Sequence, residues 1–431
     1  MGKDKSNKFA CKKYFMKNYK INNSVNLFQL ALQLNDPWNV KEIYYEDDLE
    51  TKESELHIVI GFTKGAEFKD KDMLSYKAFD TIEKTWRHLN FFQFKCYLHC
   101  NVPRIQTQTG ETKMVDVPWS RQHSGFTLLF EAFAMTLIEK EMPVNKVAEL
   151  LKEYAQRIWT IFNYWIGKAV KQDTAETVTK LGFDETSSKK GHNYVTIAVD
   201  MDKSRVVSIS EGKGMDSITD IKIDLENKGV QPKQIEETCM DLSPAFIGGV
   251  SQNFSNATIC FDKFHITKLL HEAMDDVRKL ERINHDAIKG YKYVFLKNYK
   301  NLTGYQKGEL SKLIELYPVL GTAYRLKELF KDLWQMEYKE EAGAFLSYWC
   351  DLVDEAKIFP FKKFVNTLKT HWSGIMNYFD SRLTNGVLEG INNKIQLAKR
   401  RARGYRNIKN FINMIYFIAG KLKFDYPLVF I

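Results

Sequence analysis

Cysteine is scarce in this chain, with six scattered over 431 residues, so the disulfide framework of a small secreted scaffold is not expected. No run approaches the roughly 18 to 20 apolar residues that an α-helical membrane span requires. The amino-terminal segment MGKDKSNKFACKKYFMKNYK is basic but has no continuous apolar core, which argues against a secretory leader and for a cytosolic protein with reduced thiols. Also missing are a phosphate-binding P-loop, a GxSxG nucleophile elbow and an HExxH zinc motif. There is no internal repeat of about 20 to 50 residues and no low-complexity tract. What remains is ordinary globular composition, 44% hydrophobic and 27% charged, in a chain long enough for several domains.

The net charge of +9 is moderate, but it is unevenly placed. Between Gly386 and Phe424 nine basic residues (Lys394, Lys399, Arg400, Arg401, Arg403, Arg406, Lys409, Lys421 and Lys423) stand against Glu389 alone. Such a cluster is the footprint of a polyanion-binding surface, with a merely solvated basic face as the alternative. A carboxylate in that field repels the phosphate its neighbours attract, so Glu389 needs another purpose. One purpose is modest: a first-turn acid favours the helix dipole.

Changes of periodicity divide the chain. Residues 1–45 mix charge with scattered aromatics and receive no assignment. Residues 46–120 hold short strand-like runs (LHIVIGF, FFQFKCYL, KMVDVPW) and read as a small β-rich module. Its CYLHC puts His99 between Cys96 and Cys100, but structural zinc needs a second closely spaced pair and none follows, so a buried structural pair is the simpler reading. Residues 121–175 turn helical: Val147, Leu150 and Leu151, then Ile158, Ile161, Phe162 and Trp165, recur at three and four. This is either a core helix pair or a helix-turn-helix whose second helix offers Gln156, Arg157 and Asn163 to a DNA groove.

From Lys180 the period becomes two, with strands expected near 180–186, 192–200 and 204–210, joined by SSKKGHN and DMDKS. A helix near 215–228, a strand ending at Asp241, a helix over 243–253 and the strand ATICFDKF follow. Lys213 and Gly214 read as a turn. Three antiparallel strands, then helix, strand, helix, strand, is the element order of an RNase H-like fold, here residues 176–270. Residues 271–370 are helical and aromatic-rich, an all-α insertion packed as a bundle, and 371–431 complete the core with basic helices. The fold class is thus mixed α/β and multidomain.

In such a sheet the first and fourth strands are neighbours, so Asp184 inside the first and Asp241 at the end of the fourth converge, and Glu389 joins them from a later helix. Three acids so placed raise one another's pKa unless cations neutralise them. Carboxylate oxygens are hard ligands suited to magnesium or manganese, and two such ions clamp the attacking and leaving oxygens of a phosphodiester. Asn392 and Gln396, three and seven residues after Glu389, share its helix face and would orient water or a DNA strand. Asp262 and His265 in FDKFHI form a supporting polar group, the histidine bonding a carboxylate, approaching a leaving oxygen or serving the structure alone.

These residues resemble the DDE transposases of bacterial insertion sequences, in particular the ISL-three family. LGFDETSSKKGHNYVTIAVD, CMDLSPAF, FDKFHI and TNGVLEGINNKIQLAKRRARGYRNIKNF stand in that family's order, and TIEKTWRHLNFFQFKCYLHCNVPRI and PWSRQHSGFTLLFEAFAMTLIEKEMPVNKVAELL resemble its amino-terminal region. The resemblance implies that Asp184, Asp241 and Glu389 are the catalytic, metal-binding triad, that residues 143–170 are the helix-turn-helix, and that the helical block is the insertion between the second and third acids. One departure stands out: the family's zinc-ribbon cysteine set is incomplete here, because RIQTQTGETK after Pro103 has none, so the module either folds on its β core alone or is a degenerate zinc ribbon, and zinc there is doubtful. The implied reaction is cleavage at the element's terminal inverted repeats, freeing a 3′-hydroxyl that attacks target DNA, in a homo-oligomeric assembly on nucleoid DNA. Two other functions compete: a DNA-binding protein or inactive remnant without catalysis, and a nuclease acting on RNA–DNA hybrids.

Overall fold

The computed structural model describes residues 24–49, 52–70, 73–189, 193–383 and 386–427; residues 1–23, and residues 190–192 of the expected SSKKGHN turn, lie outside them. The described chain forms two compact units, one ending at Met142 and rejoined by Asp425–Pro427, the other running from Pro143 to Phe424.

The first unit contains α1 (Ser24–Ala31), β1 (Trp38–Asp47), β2 (Ser54–Phe62), the short pair β3 (Glu67–Lys69) and β4 (Ser75–Lys77), β5 (Asp80–Phe91), β6 (Phe94–Gln106), β7 (Thr112–Met114) and α2 (Leu128–Glu139). Its main sheet has the order β1-β2-β6-β5, with β7 on β6. Leu56, Ile58 and Ile60 of β2 and Leu98 and Val102 of β6 alternate into a core closed by Trp38, Trp86 and Trp119. The region left unassigned up to residue 45 thus supplies α1 and most of β1. Both β1 and β5 lie at sheet edges and are largely exposed, so their apolar alternation is weak. Of KMVDVPW only the first two residues are in β7.

Cys96 and Cys100 face that core, where burial pushes both thiols up to about 12. His99 points to the opposite face, its Nε2 2.8 Å from His57 Nδ1 and its Nδ1 2.9 Å from Thr85 Oγ1. Strand alternation therefore keeps the two thiols and the imidazole from converging on one ion.

The second unit begins with α3 (Val144–Leu150) and α4 (Ala155–Gln172), then β8 (Lys180–Ser187), β9 (Tyr194–Asp200), β10 (Arg205–Glu211), α5 (Met215–Asn227), β11 (Glu237–Met240), α6 (Pro244–Asn253) and β12 (Thr258–Phe261). Its helical part comprises α7 (Lys263–Asn284), α8 (Lys292–Leu296), α9 (Gly304–Leu316), α10 (Pro318–Phe330), α11 (Lys339–Ala356), α12 (Phe359–Thr370), α13 (Trp372–Ser381), α14 (Gly386–Ala402) and α15 (Ile408–Ala419). The sheet order is β10-β9-β8-β11-β12. Pairing is antiparallel from β10 to β8 and parallel from β8 to β12. The carboxyl ends of β8, β10, β11 and β12 consequently share one edge.

Helices cover both faces, α5 and α15 packing on β10, which is why β9 is buried on successive residues rather than alternate ones. The helical block is not a separate core. Leu181, Phe183 and Met240 of the sheet continue into Ile266, Phe330, Trp349, Phe361 and Tyr378. α13 seats on β12 through Gly374, where a Cβ would collide with the Phe261 ring, and Asn377 Nδ2 donates to the Ile259 carbonyl at 3.0 Å.

Candidate active site

Gly182, Asp184 and Thr186 alternate onto one face of β8, and α14 lies across it. Gly182 lets the helix in: a Cβ there would stand 2.5 Å from Met201 Sδ and 3.0 Å from Leu388 Cδ2. Successive turns of α14 then grip the strand, Asn392 Nδ2 donating to Asp184 Oδ2, Gln396 Nε2 to Thr186 Oγ1 at 3.3 Å, and Lys399 Nζ to the Ser187 carbonyl. Leu388, Ile391 and Ile395 form the buried stripe beneath these bonds.

Glu389, exposed in the first turn of α14, lines a cleft of about 590 Å³ together with Asp184, Asp262, Lys263, Phe264, His265, Asn392 and Asn393. Two of the three expected acids thus share a cavity. Asp241 is not among its lining residues, but the register places it nearby. Gly182 pairs with Cys239 on adjacent parallel strands, and two residues further along each strand come Asp184 and Asp241. Asp241 Oδ1 accepts from Ser243 N–H at 2.9 Å, turning the chain into α6. Among the described residues no three His, Cys, Asp or Glu side chains are gathered closely enough to hold one metal ion.

Burial pushes the Asp184 carboxyl up from 3.8 to about 6, with the Asp241 charge adding to the rise and the Glu185 N–H, His265 and Asn392 opposing it. Burial also raises Glu185, again helped by Asp241 and opposed by Lys213. Lys213, in the segment read as a turn, opposes that rise at Glu185 through its charge, and its Nζ lies over the Tyr194 ring, 4.4 Å from the centroid. Asp262 is buried and caps α7, its Oδ1 accepting from Phe264 N–H at 3.0 Å, with His265 Nε2 3.8 Å from its other oxygen. Asn392 Oδ1 is buried without a hydrogen-bond partner. A buried acceptor of this kind calls for a partner to complete it.

Residues 181–415, more than half of the chain, match the ISL3 DDE family model described as a transposase, and residues 115–166 match the helix-turn-helix domain of transposase family ISL3. The chain belongs to the ISL3 transposase family. It is 26% identical over 354 residues to the transposase for insertion sequence element IS1557 of Mycobacterium tuberculosis, covering 75% of this chain and 79% of that protein. To the transposase for insertion sequence element IS1001 of Bordetella parapertussis it is 25% identical over 343 residues, with 77% and 83% covered.

In this transposase the helix pair expected over 143–170 is α3 and α4, joined by a turn in which Lys152 takes a positive φ of 52°. α2, also inside the matched helix-turn-helix region, belongs to the first compact unit. Gln156 and Arg157 are exposed on the first turn of α4, Arg157 pairing with Glu153. Asn163 is not available to a groove: it donates to Asn410 Oδ1 at 2.9 Å and accepts from Asn413 Nδ2 at 2.8 Å, tying α4 to α15. Lys394, Arg400, Arg401, Arg403 and Arg406 are exposed, whereas Lys399 is spent on the Ser187 carbonyl. No helix among the described residues is long and apolar enough to cross a membrane.

Proposed function

We propose that this transposase cuts and joins DNA strands at the cleft between β8 and α14, on an RNase H-like core, after its helix-turn-helix has bound the terminal inverted repeats. The sheet order, with the strand of Asp184 beside the strand ending at Asp241, supports the fold reading. The observation that carries the catalytic reading is that Asp184 and Glu389, 205 positions apart (389 − 184), line one cleft.

Asp184, Asp241 and Glu389 would hold two divalent ions, magnesium or manganese, with the orphaned Asn392 Oδ1 as a further oxygen donor. Bound there, the ions would supply Lewis-acid stabilisation to the attacking and leaving oxygens of a phosphodiester. The chain does the rest. Asn392 N–H fixes the Asp184 carboxylate, and Gln396 and Lys399 hold the helix against the strand. Exposed Lys394, Arg400, Arg401, Arg403 and Arg406 neutralise the DNA backbone. Water cuts one strand, freeing a 3′-hydroxyl, which then attacks target DNA; the two element ends meet in a homo-oligomer.

Asp184→Asn or Glu389→Gln is expected to keep binding to the element's ends and to abolish magnesium-dependent cleavage; undiminished cleavage refutes the assignment. The lack of a gathered three-acid set among the described residues favours a second reading, a DNA-binding protein without catalysis. Wild-type protein that binds the ends but never cuts them, under any divalent ion, would establish it.

A further inference from the structure

We infer that Phe264 stacks on a DNA base that has left the duplex beside the bond to be cut. The inference rests on the proposed cleavage site and adds a substrate requirement to it, an extrahelical nucleotide.

Phe264 is 65% exposed, although its neighbours Ile266 and Leu270 are buried in the core. The ring stands in the first turn of α7, on the wall of the cleft that holds Asp184 and Glu389. Its backbone is held by the helix cap, the Asp262 carboxylate accepting from its N–H at 3.0 Å, and its ring meets that of His265 edge-on, with centroids 5.8 Å apart. On its far side a second cleft of about 450 Å³ opens, lined by Thr267, Lys268 and His271 among others. Phe264, Thr267, Lys268 and His271 fall at i, i+3, i+4 and i+7, so ring, hydroxyl, ammonium and imidazole form one stripe along α7. Of the acids in that cleft, Asp275 is occupied by Arg278 at 2.8 Å and Lys292 at 3.3 Å.

An intact duplex shows a protein only the edges of its bases. A phenyl ring gains by stacking only on a base whose face is uncovered, hence on one that is flipped, terminal or single-stranded. An exposed ring on the wall of the cleft that holds Asp184 and Glu389 therefore selects DNA distorted at that point. Lys268 and His271 lie where the phosphate and the edge of the displaced nucleotide would pass.

The test places 2-aminopurine at the positions flanking the cleavage point of an element end. In the full-length protein carrying Asp184→Asn, which binds without cutting, a change in 2-aminopurine emission on binding is expected. Adding Phe264→Ala should remove most of that change, and Phe264→Trp should retain it. In the otherwise wild-type protein Phe264→Ala is expected to lower kcat on a fully paired end by about 10- to 100-fold, the range of one lost base–aromatic stack. A mismatch at the flanking position should restore it, which a merely structural defect would not allow. Unaltered emission in Phe264→Ala, or equal losses on paired and mismatched ends, overturns the inference. If no protein cuts any end, the cleavage reading fails, while the emission measurement still decides for or against stacking at Phe264.

Discussion

Replacing Asp184 by Asn should make the metal-free protein more stable and the enzyme inactive. The fold disfavours the ionised carboxylate, moving its pKa from 3.8 to about 6 through burial with the Asp241 charge behind it. Below pH 4 the proton is carried in both folded and unfolded chains and the group contributes nothing. Between pH 4 and 6 the native state keeps a proton that the unfolded chain has lost, and above pH 6 the native state holds an uncompensated charge. Each pH unit of that interval corresponds to about 1.4 kcal/mol, so the cost at pH 8 approaches ~3 kcal/mol. The substituted side chain escapes this cost, since its amide carries no charge and, with Asn392 turned over, donates to the oxygen now without a partner. Chemical denaturation with chelator present should show the variant gaining ~2–3 kcal/mol over wild type at pH 8 and converging with it near pH 4. Magnesium should then stabilise wild type and leave the variant unaffected. A variant that is less stable at both pH values, by the same amount, would refute the electrostatic reasoning.

Further outcomes are expected. Gly182→Ala pushes a methyl group into Met201 and Leu388 and lifts α14 from β8; thermal melting should register a loss of ~1–3 kcal/mol and end-cleavage assays a larger proportional loss. Asn163→Ala breaks two bonds between α4 and α15 and should cost ~1–2 kcal/mol of stability, while Gln156→Ala should weaken binding to the inverted repeat with the melting curve unchanged. Gln396→Ala removes one bond to Thr186 and should cost about 0.5–1.5 kcal/mol, read by denaturant titration. Chelators should leave the β-sheet unit folded, and Cys96 and Cys100, whose thiols burial raises to about 12, should resist alkylation at pH 8 until the protein unfolds.

The β8–β12 sheet was legible because β9 (YVTIAVD) and β10 (RVVSISE) carry dense Val and Ile and the turns around them carry Gly and Asp; expected and observed strand ends differ by only a few residues. Asp184 and Glu389 drew attention by being acids where an apolar strand and a basic helix had no use for them, and the structure sets them in one cleft. Three features escaped. Edge strands β1 and β5 bury few side chains, so period two hardly marks them. Asn163 resembled a groove-facing polar residue because sequence cannot tell solvent from the side of another helix; only α15 reveals its partners. Phe264 was read as the end of the strand ATICFDKF, whereas β12 stops at Phe261 and the Asp262 cap starts α7, whose first turn leaves the ring exposed.

The convergence of three distant acids on divalent ions is tested most directly by replacing magnesium with iron(II) and generating hydroxyl radicals, which cut the polypeptide where the metal sits. Cuts clustered around residues 184, 241 and 389, each cluster suppressed by magnesium and by Asp184→Asn, are predicted. Cleavage spread along the chain, or missing at residue 241 while present at the other two, would contradict a shared site.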